Sequence, residues 1–348
     1  MDREIKPVWS TVGKIDPRDL VEARTQLHWA AQPVMAFADC ALEHVSDDSQ
    51  ANLGWSDDLE APARISHHVA TAAHDMPQSA ASSRLGVLDA LSSTTPRPLG
   101  RKRNISRHLT GLATQRGEKG GLVCRQRPDG LSAGLRIPDM TLMVFDEGGA
   151  TADSISLEGQ TIDSAVSWLE EVVAARSGGA TERPIRIRDY EMPAHPVAEG
   201  AAFVLDYSPA FAELARWFAN GNLVLRELAS SDRGWAEVRC WPHHFDLGTV
   251  ISLESSGDAS SGQSIGVGLS PGDTSYSEPY LYVNPYGLTD QPANQPPLES
   301  GAHWYTDGWF GAVLTATAIV VNPGGTQESE VLSFLHGAVD AARNLLTE

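Results

Sequence analysis

Residues 278–286 read EPYLYVNPY, and their alternation decides the fold class. In an extended chain successive side chains point to opposite faces, so Glu278, Tyr280, Tyr282, Asn284 and Tyr286 share one side, and Pro279, Leu281 and Val283 share the other. The second side suits a core; the first, polar and aromatic, suits a ligand wall. Outward from this segment, strand-like runs at 223–228, 235–241, 245–253, 265–269 and 312–321 are separated by loops rich in Gly, Ser, Pro and Asp. Such spacing favours antiparallel meanders over crossover helices. A helix is expected over 208–220, opening on Ser208-Pro209 and closing on Asn220-Gly221, and another over 328–346 with Val331, Leu335, Val339 and Leu346 on one face.

The first half of the chain repeats the order helix, strands, helix. Apolar residues recur at three and four from Pro17 to His44, with Asp16 as N-cap, Pro17 at the first helical position and Pro33 as the source of a kink. LRIPDMTLMVF at 135–145 reads as one or two strands, and 161–176 as an amphipathic helix ended by Gly178 and Gly179. The expectation is an α+β protein, mostly antiparallel sheet covered by helices, possibly in two similar halves, although no residue-level repeat is evident. The divisions are 1–61 (the helical start of the first half), 62–128 (an insertion), 129–183 (its remainder), 184–198 (a Pro-rich connector) and 199–348 (the second half, with the candidate site).

The insertion is set apart by composition. Between Pro62 and Pro128, 11 Lys and Arg face 3 Asp and Glu, and none of the 24 aromatic residues of the chain lies there. With so little apolar surface to offset the entropy of ordering, it is expected to be disordered. The whole chain of 348 residues carries a formal charge of −19, which argues against a nucleic-acid partner. No apolar run is long enough to span a membrane, and the first residues resemble no secretory leader, so a cytoplasmic protein is expected. Cys40, Cys124 and Cys240 are too widely spaced for a disulfide framework or a zinc motif. Oligomeric state is not legible.

Chemistry concentrates between Trp241 and Phe310. If WPHHFDLGT (241–249) is one strand, His244 and Asp246 sit side by side, and HWYTDGWFG (303–311) adds His303 and Trp304. His244, Asp246 and His303 make a two-histidine, one-carboxylate set of the kind that binds a divalent metal and leaves positions open for water. A metal-dependent hydrolase would use these three as catalytic residues and metal ligands. As a binding module, the same region would enclose a small molecule with Glu278, Tyr280, Tyr282 and Trp304 lining the site; this reading is preferred. A structural or interaction protein would instead pack these side chains together. Ser270-Pro271-Gly272-Asp273 reads as a turn, and His28-Trp29 as part of a core helix face.

Three short motifs carry a resemblance: Leu27-His28-Trp29, Phe245-Asp246-Leu247, and Glu278-Pro279-Tyr280-Leu281-Tyr282 with Pro285 beyond. In their order the chain resembles an uncharacterised family of bacterial proteins known only as a domain of unknown function. The likeness covers most of the chain outside 62–128, where the family pattern has a short strand-bearing segment. It implies no activity.

Overall fold

Leu53 and Cys240 hold the two halves of the fold together at one point. Each donates its amide to the other's carbonyl, at 3.0 and 2.8 Å, and this antiparallel bridge joins the edges of two sheets. The computed structural model describes residues 8–41, 52–59, 119–177, 183–253 and 262–347. The first sheet consists of β1 (Gly54–Ser56), β2 (Gly121–Val123), β3 (Ser132–Arg136), β4 (Thr141–Phe145) and β5 (Thr151–Ser156), side by side in chain order. The second contains β6 (Arg239–Trp241), β7 (Asp246–Ser252), β8 (Ser264–Ser270), β9 (Tyr280–Tyr286), β10 (His303–Tyr305) and β11 (Gly311–Thr315), in the spatial order β10-β11-β9-β8-β7-β6. Every pairing within both sheets is antiparallel. The expected α+β architecture is therefore present.

The helices are α1 (Val21–Asp39), α2 (Ile162–Ser177), α3 (Ser208–Ser231), the short α4 (Ala316–Val320) and α5 (Gln327–Thr347). None of the described helices is long and apolar enough to cross a membrane. One apolar core runs through both halves: Leu27 and Phe37 of α1, Leu169 of α2, Phe211 and Trp217 of α3 and Leu335 of α5 pack with Leu135, Leu142, Leu247, Val267, Leu281 and Leu314 of the strands. Phe218 ties the halves directly, its ring stacked 6.1 Å from Trp55 beside β1 residues and 5.2 Å from Phe245 ahead of β7.

Local signals explain the element ends, including those that differ from expectation. Asp16 caps a single 3-10 turn (Pro17–Leu20) by accepting from the Arg18 amide at 3.0 Å, and α1 continues through Pro33 to Asp39. The helix expected to stop at Gly221 runs on to Ser231, so 223–228 is helix and not strand. Gly221 is there for proximity: a Cβ would lie 2.6 Å from Leu269 Cδ2 of β8. The run 312–321 is strand only to Thr315, whose hydroxyl then caps α4. The disorder expected over 62–118 lies outside the described residues, as do Gly178 and Gly179. The tail of that insertion departs from expectation, because Leu122 pairs opposite Leu135 and makes β2 an interior strand.

Residues 8–13 run extended against the helical layer, fixed by side chains in place of a neighbouring strand. Asn220 accepts from the Ser10 amide at 2.9 Å and donates to its carbonyl at 2.7 Å. Gln327 does the same for Val12, at 3.2 Å each way, and also accepts from Trp9 Nε1. The Gly13 amide donates at 2.6 Å to Glu213, a buried carboxylate that also pairs with Arg216.

Candidate functional site

The register of the second sheet separates its two faces. Leu247, Val267, Leu269, Leu281, Val283 and Leu314 turn to the helices and are buried. Asp246, Gly248, Gly266, Gly268, Tyr280, Tyr282, Asn284, Tyr286 and Gly311 share the other face, as the alternation in 278–286 predicts. The glycines have a purpose there. A Cβ on Gly266 would lie 2.8 Å from the ring of Tyr286, a Cβ on Gly268 would overlap the ring of Tyr282, and Trp241 lies over Gly248. The rings therefore pack over bare backbone and form a platform, with Tyr282, Tyr286 and Trp241 half-buried.

Two loops meet at one end of this platform, because β7 begins where its antiparallel neighbour β8 ends. The expected strand through 241–249 is interrupted: 242–245 is a turn closed by the Phe245 amide donating to the Trp241 carbonyl at 2.6 Å, with Phe245 at φ +59°. His244 and Asp246 are thus not neighbours on one strand face; His244 is an exposed turn residue, and Asp246 opens β7 opposite Trp241. The second loop, 271–279, presents Asp273 and Tyr276. From the helical side, Arg24, His28 and Gln32 reach these loops from successive turns of α1. His28 Nε2 lies 2.6 Å from the Pro242 carbonyl and its ring stacks on Phe245 at 4.9 Å, while Gln32 donates to the same carbonyl at 3.3 Å.

The hydroxyls around the site are committed inward. Tyr280 donates to Asp273 at 2.7 Å, Tyr282 donates to Asp246, and Tyr276 bonds His303 Nε2 at 2.7 Å. Tyr280, Tyr282 and Trp309 form a near-equilateral triangle, with centroids 6.1, 6.4 and 6.5 Å apart. Burial lifts the Asp246 carboxyl above its ordinary range despite the opposing influence of His244 and the Tyr282 hydrogen bond. Burial and the neighbouring carboxylates also push Tyr280 and Tyr282 up, and burial lowers His28 to about 4, so its imidazole is neutral at pH 7. Among the described residues two buried polar atoms here have no hydrogen-bond partner, Asp246 Oδ1 and Arg24 Nη1, and a third, Asn284 Oδ1, lies farther along the same face over Gly311. Arg24 is pressed against Gly272, a residue with φ +111°, and faces Asp273 and Tyr280 electrostatically.

Other expected site residues lie elsewhere. His303 is exposed on β10, four strand steps from Asp246 in the sheet order, about 19 Å at the usual strand spacing. Among the described residues no three His, Cys, Asp or Glu side chains gather as a metal-holding group, so His244, Asp246 and His303 are not assembled as ligands. Glu278 is a capping residue: its carboxylate accepts from the Thr317 amide and hydroxyl, both at 2.6 Å, at the start of α4. Trp304 pairs opposite Ala312 on the helix-facing side, stacks on Phe310 at 4.9 Å and donates to the Pro296 carbonyl. The expected residues Asp246, Tyr280 and Tyr282 do come together. Arg24 is not among the expected residues, yet a signal exists: Arg24, His28 and Gln32 form a polar stripe at i, i+4 and i+8 along α1.

The segments 27–29, 245–247 and 278–282 meet here, with His28 on Phe245 and Asp246 bonded to Tyr282. Compared with protein-family models, curated proteins and solved structures, the chain matches none.

Proposed function

We propose that the protein is a small-molecule-binding module whose site is the tyrosine-plated face of the second sheet at its Asp246 end. The observation that carries this reading is Asp246 Oδ1, a buried carboxylate oxygen left without a partner among the described residues at that end of the face, with Asn284 Oδ1 likewise unpartnered farther along it over Gly311. A buried unsatisfied oxygen costs about 1–3 kcal/mol, and native folds retain few of them without cause. Flat rings supply area for stacking, and the polar atoms between them supply orientation. The metal-hydrolase alternative finds less support, because His303 is remote from Asp246.

The test is a ligand-observed NMR screen of a diverse fragment library against the full chain and against Gly268→Ala, whose added methyl must displace Tyr282. Hits that bind the parent protein and weaken at least tenfold in the variant support the site. A library with no hit, or hits indifferent to Gly268→Ala and to Tyr282→Phe, overturns it.

A further inference from the structure

We propose that the ligand taken by this face is a small organic cation with N–H donors, a protonated amine or a guanidinium. This rests on the binding-site reading above and adds the ligand's class. The argument is a census of donors and acceptors. Tyr280 and Tyr282 already donate to Asp273 and Asp246, and Ser270 also bonds the Tyr280 hydroxyl, so toward a ligand beside Asp246 the Tyr282 hydroxyl offers a lone pair only. Asp246 Oδ1 is an acceptor too and lacks a partner among the described residues, while the unpartnered donor Arg24 Nη1 lies against Gly272 on the helical side. A wall of acceptors is complemented by a donor-rich guest, and an acid or ester would leave every one of these oxygens unmatched.

Charge selects among donors. Asp246 and Asp273 both border the site, and Arg24 faces Asp273 and Tyr280, leaving Asp246 with no arginine or lysine bonded to it among the described residues. The ring faces of Tyr280, Tyr282 and Trp309 attract a cation through their quadrupoles. The chain's charge of −19 draws cations toward the surface and repels anions.

The groups that bear electrostatically on Asp246 are His244 of the turn, Cys240 of β6, Asp273 of the second loop, and Tyr280, Tyr282 and Tyr286 of β9. A bound cation stabilises the ionised carboxylate, so binding expels a proton wherever Asp246 is still protonated. Affinity therefore rises with pH.

The experiment titrates the full chain with benzylammonium and phenylguanidinium, and with benzyl alcohol and benzoate as neutral and anionic counterparts, by calorimetry at pH 5 and pH 7. The expected result is cation binding at least tenfold tighter than benzyl alcohol, stronger at pH 7, with no detectable benzoate binding. Asp246→Asn should bring the cation-to-alcohol ratio close to one. Equal binding of cation and alcohol, or a cation preference that survives Asp246→Asn, overturns the inference. Fragment hits sensitive to Gly268→Ala with none of the four probes binding would sink the cation class and leave the site standing; no hits of any kind would sink both.

Discussion

The two sheets have the same antiparallel build and share one helical layer, but their outer faces differ. Behind the first sheet lies a separate apolar cluster of Leu59, Val123, Met143 and Phe145, with Ser132 Oγ buried opposite Phe145 and Arg136 bonded to Asp139 on the same side. Behind the second lie glycines, tyrosines, two carboxylates and buried oxygens with nothing to bond. The difference is one of composition: the outer side of the first sheet is mainly apolar, and that of the second is plated with tyrosines and edged by carboxylates.

The strongest way to break this division is to attack what both sheets share. Phe218→Ala removes the ring that touches Trp55 and Phe245, and should cost about 3–5 kcal/mol. Urea denaturation should show one cooperative transition at lower midpoint; two separate transitions would mean the sheets fold independently. Next in size is the pH response of His28. Its folded pKa is lowered, so the unfolded state binds the proton first, and stability present above about pH 6.5 falls as pH drops toward 4. The loss is on the order of 3 kcal/mol at most. Denaturation of His28→Gln at pH 7 and 4.5 should show a smaller drop than the parent protein; an equal drop would remove His28 as the cause.

A matched pair sharpens the comparison further. Gly268→Ala in the second sheet and Gly134→Ala in the first both force a methyl against an aromatic ring and a backbone carbonyl, overlapping Tyr282 and Leu247 or meeting Phe145 and Leu122 at 3.0 Å, and each should cost about 1–3 kcal/mol, with Gly268→Ala at the upper end. Only the Gly268 change should alter fragment binding. If Gly134→Ala weakens binding as much, the outer faces are not functionally distinct. The smallest expected effect is that of Tyr282→Phe, which leaves Asp246 with neither oxygen accepting a side-chain hydrogen bond, at about 1–3 kcal/mol of unmet desolvation offset by the lost tyrosine's own needs to about 1. Thermal melts should show that modest drop, and unchanged melting would argue that water already serves Asp246.

Much of this was legible where alternation is strict. The faces of 278–286 and the meander of β7 to β9 follow from side chains of period two, and Asp16-Pro17 marks its helix start by cap chemistry. What failed was local grammar overridden by packing. Gly221 reads as a helix end, but it is a contact point for Leu269, and Asn220, beside it, is a clamp for Ser10. The β-branched run after Thr315 reads as strand because nothing in its own sequence announces that Glu278 waits to cap it. Within the site, Tyr280, Tyr282 and Asp246 were placed correctly as neighbours, while His303 and Trp304 were misplaced because adjacency in sequence says nothing about which edge or face a hairpin presents.

The amide clamp on residues 8–13 has a consequence in time. Val12 is gripped by Gln327, 315 residues later in the chain, and Ser10 by Asn220, 210 residues later. At a synthesis rate of roughly 5–20 residues per second, the partner of Val12 does not exist until about 15–60 s after Val12 is made. During translation Ser10 and Gly13 can meet Asn220 and Glu213 before the second sheet is made, but the Val12 clamp must wait for Gln327, and its closing reports that the last helix has arrived.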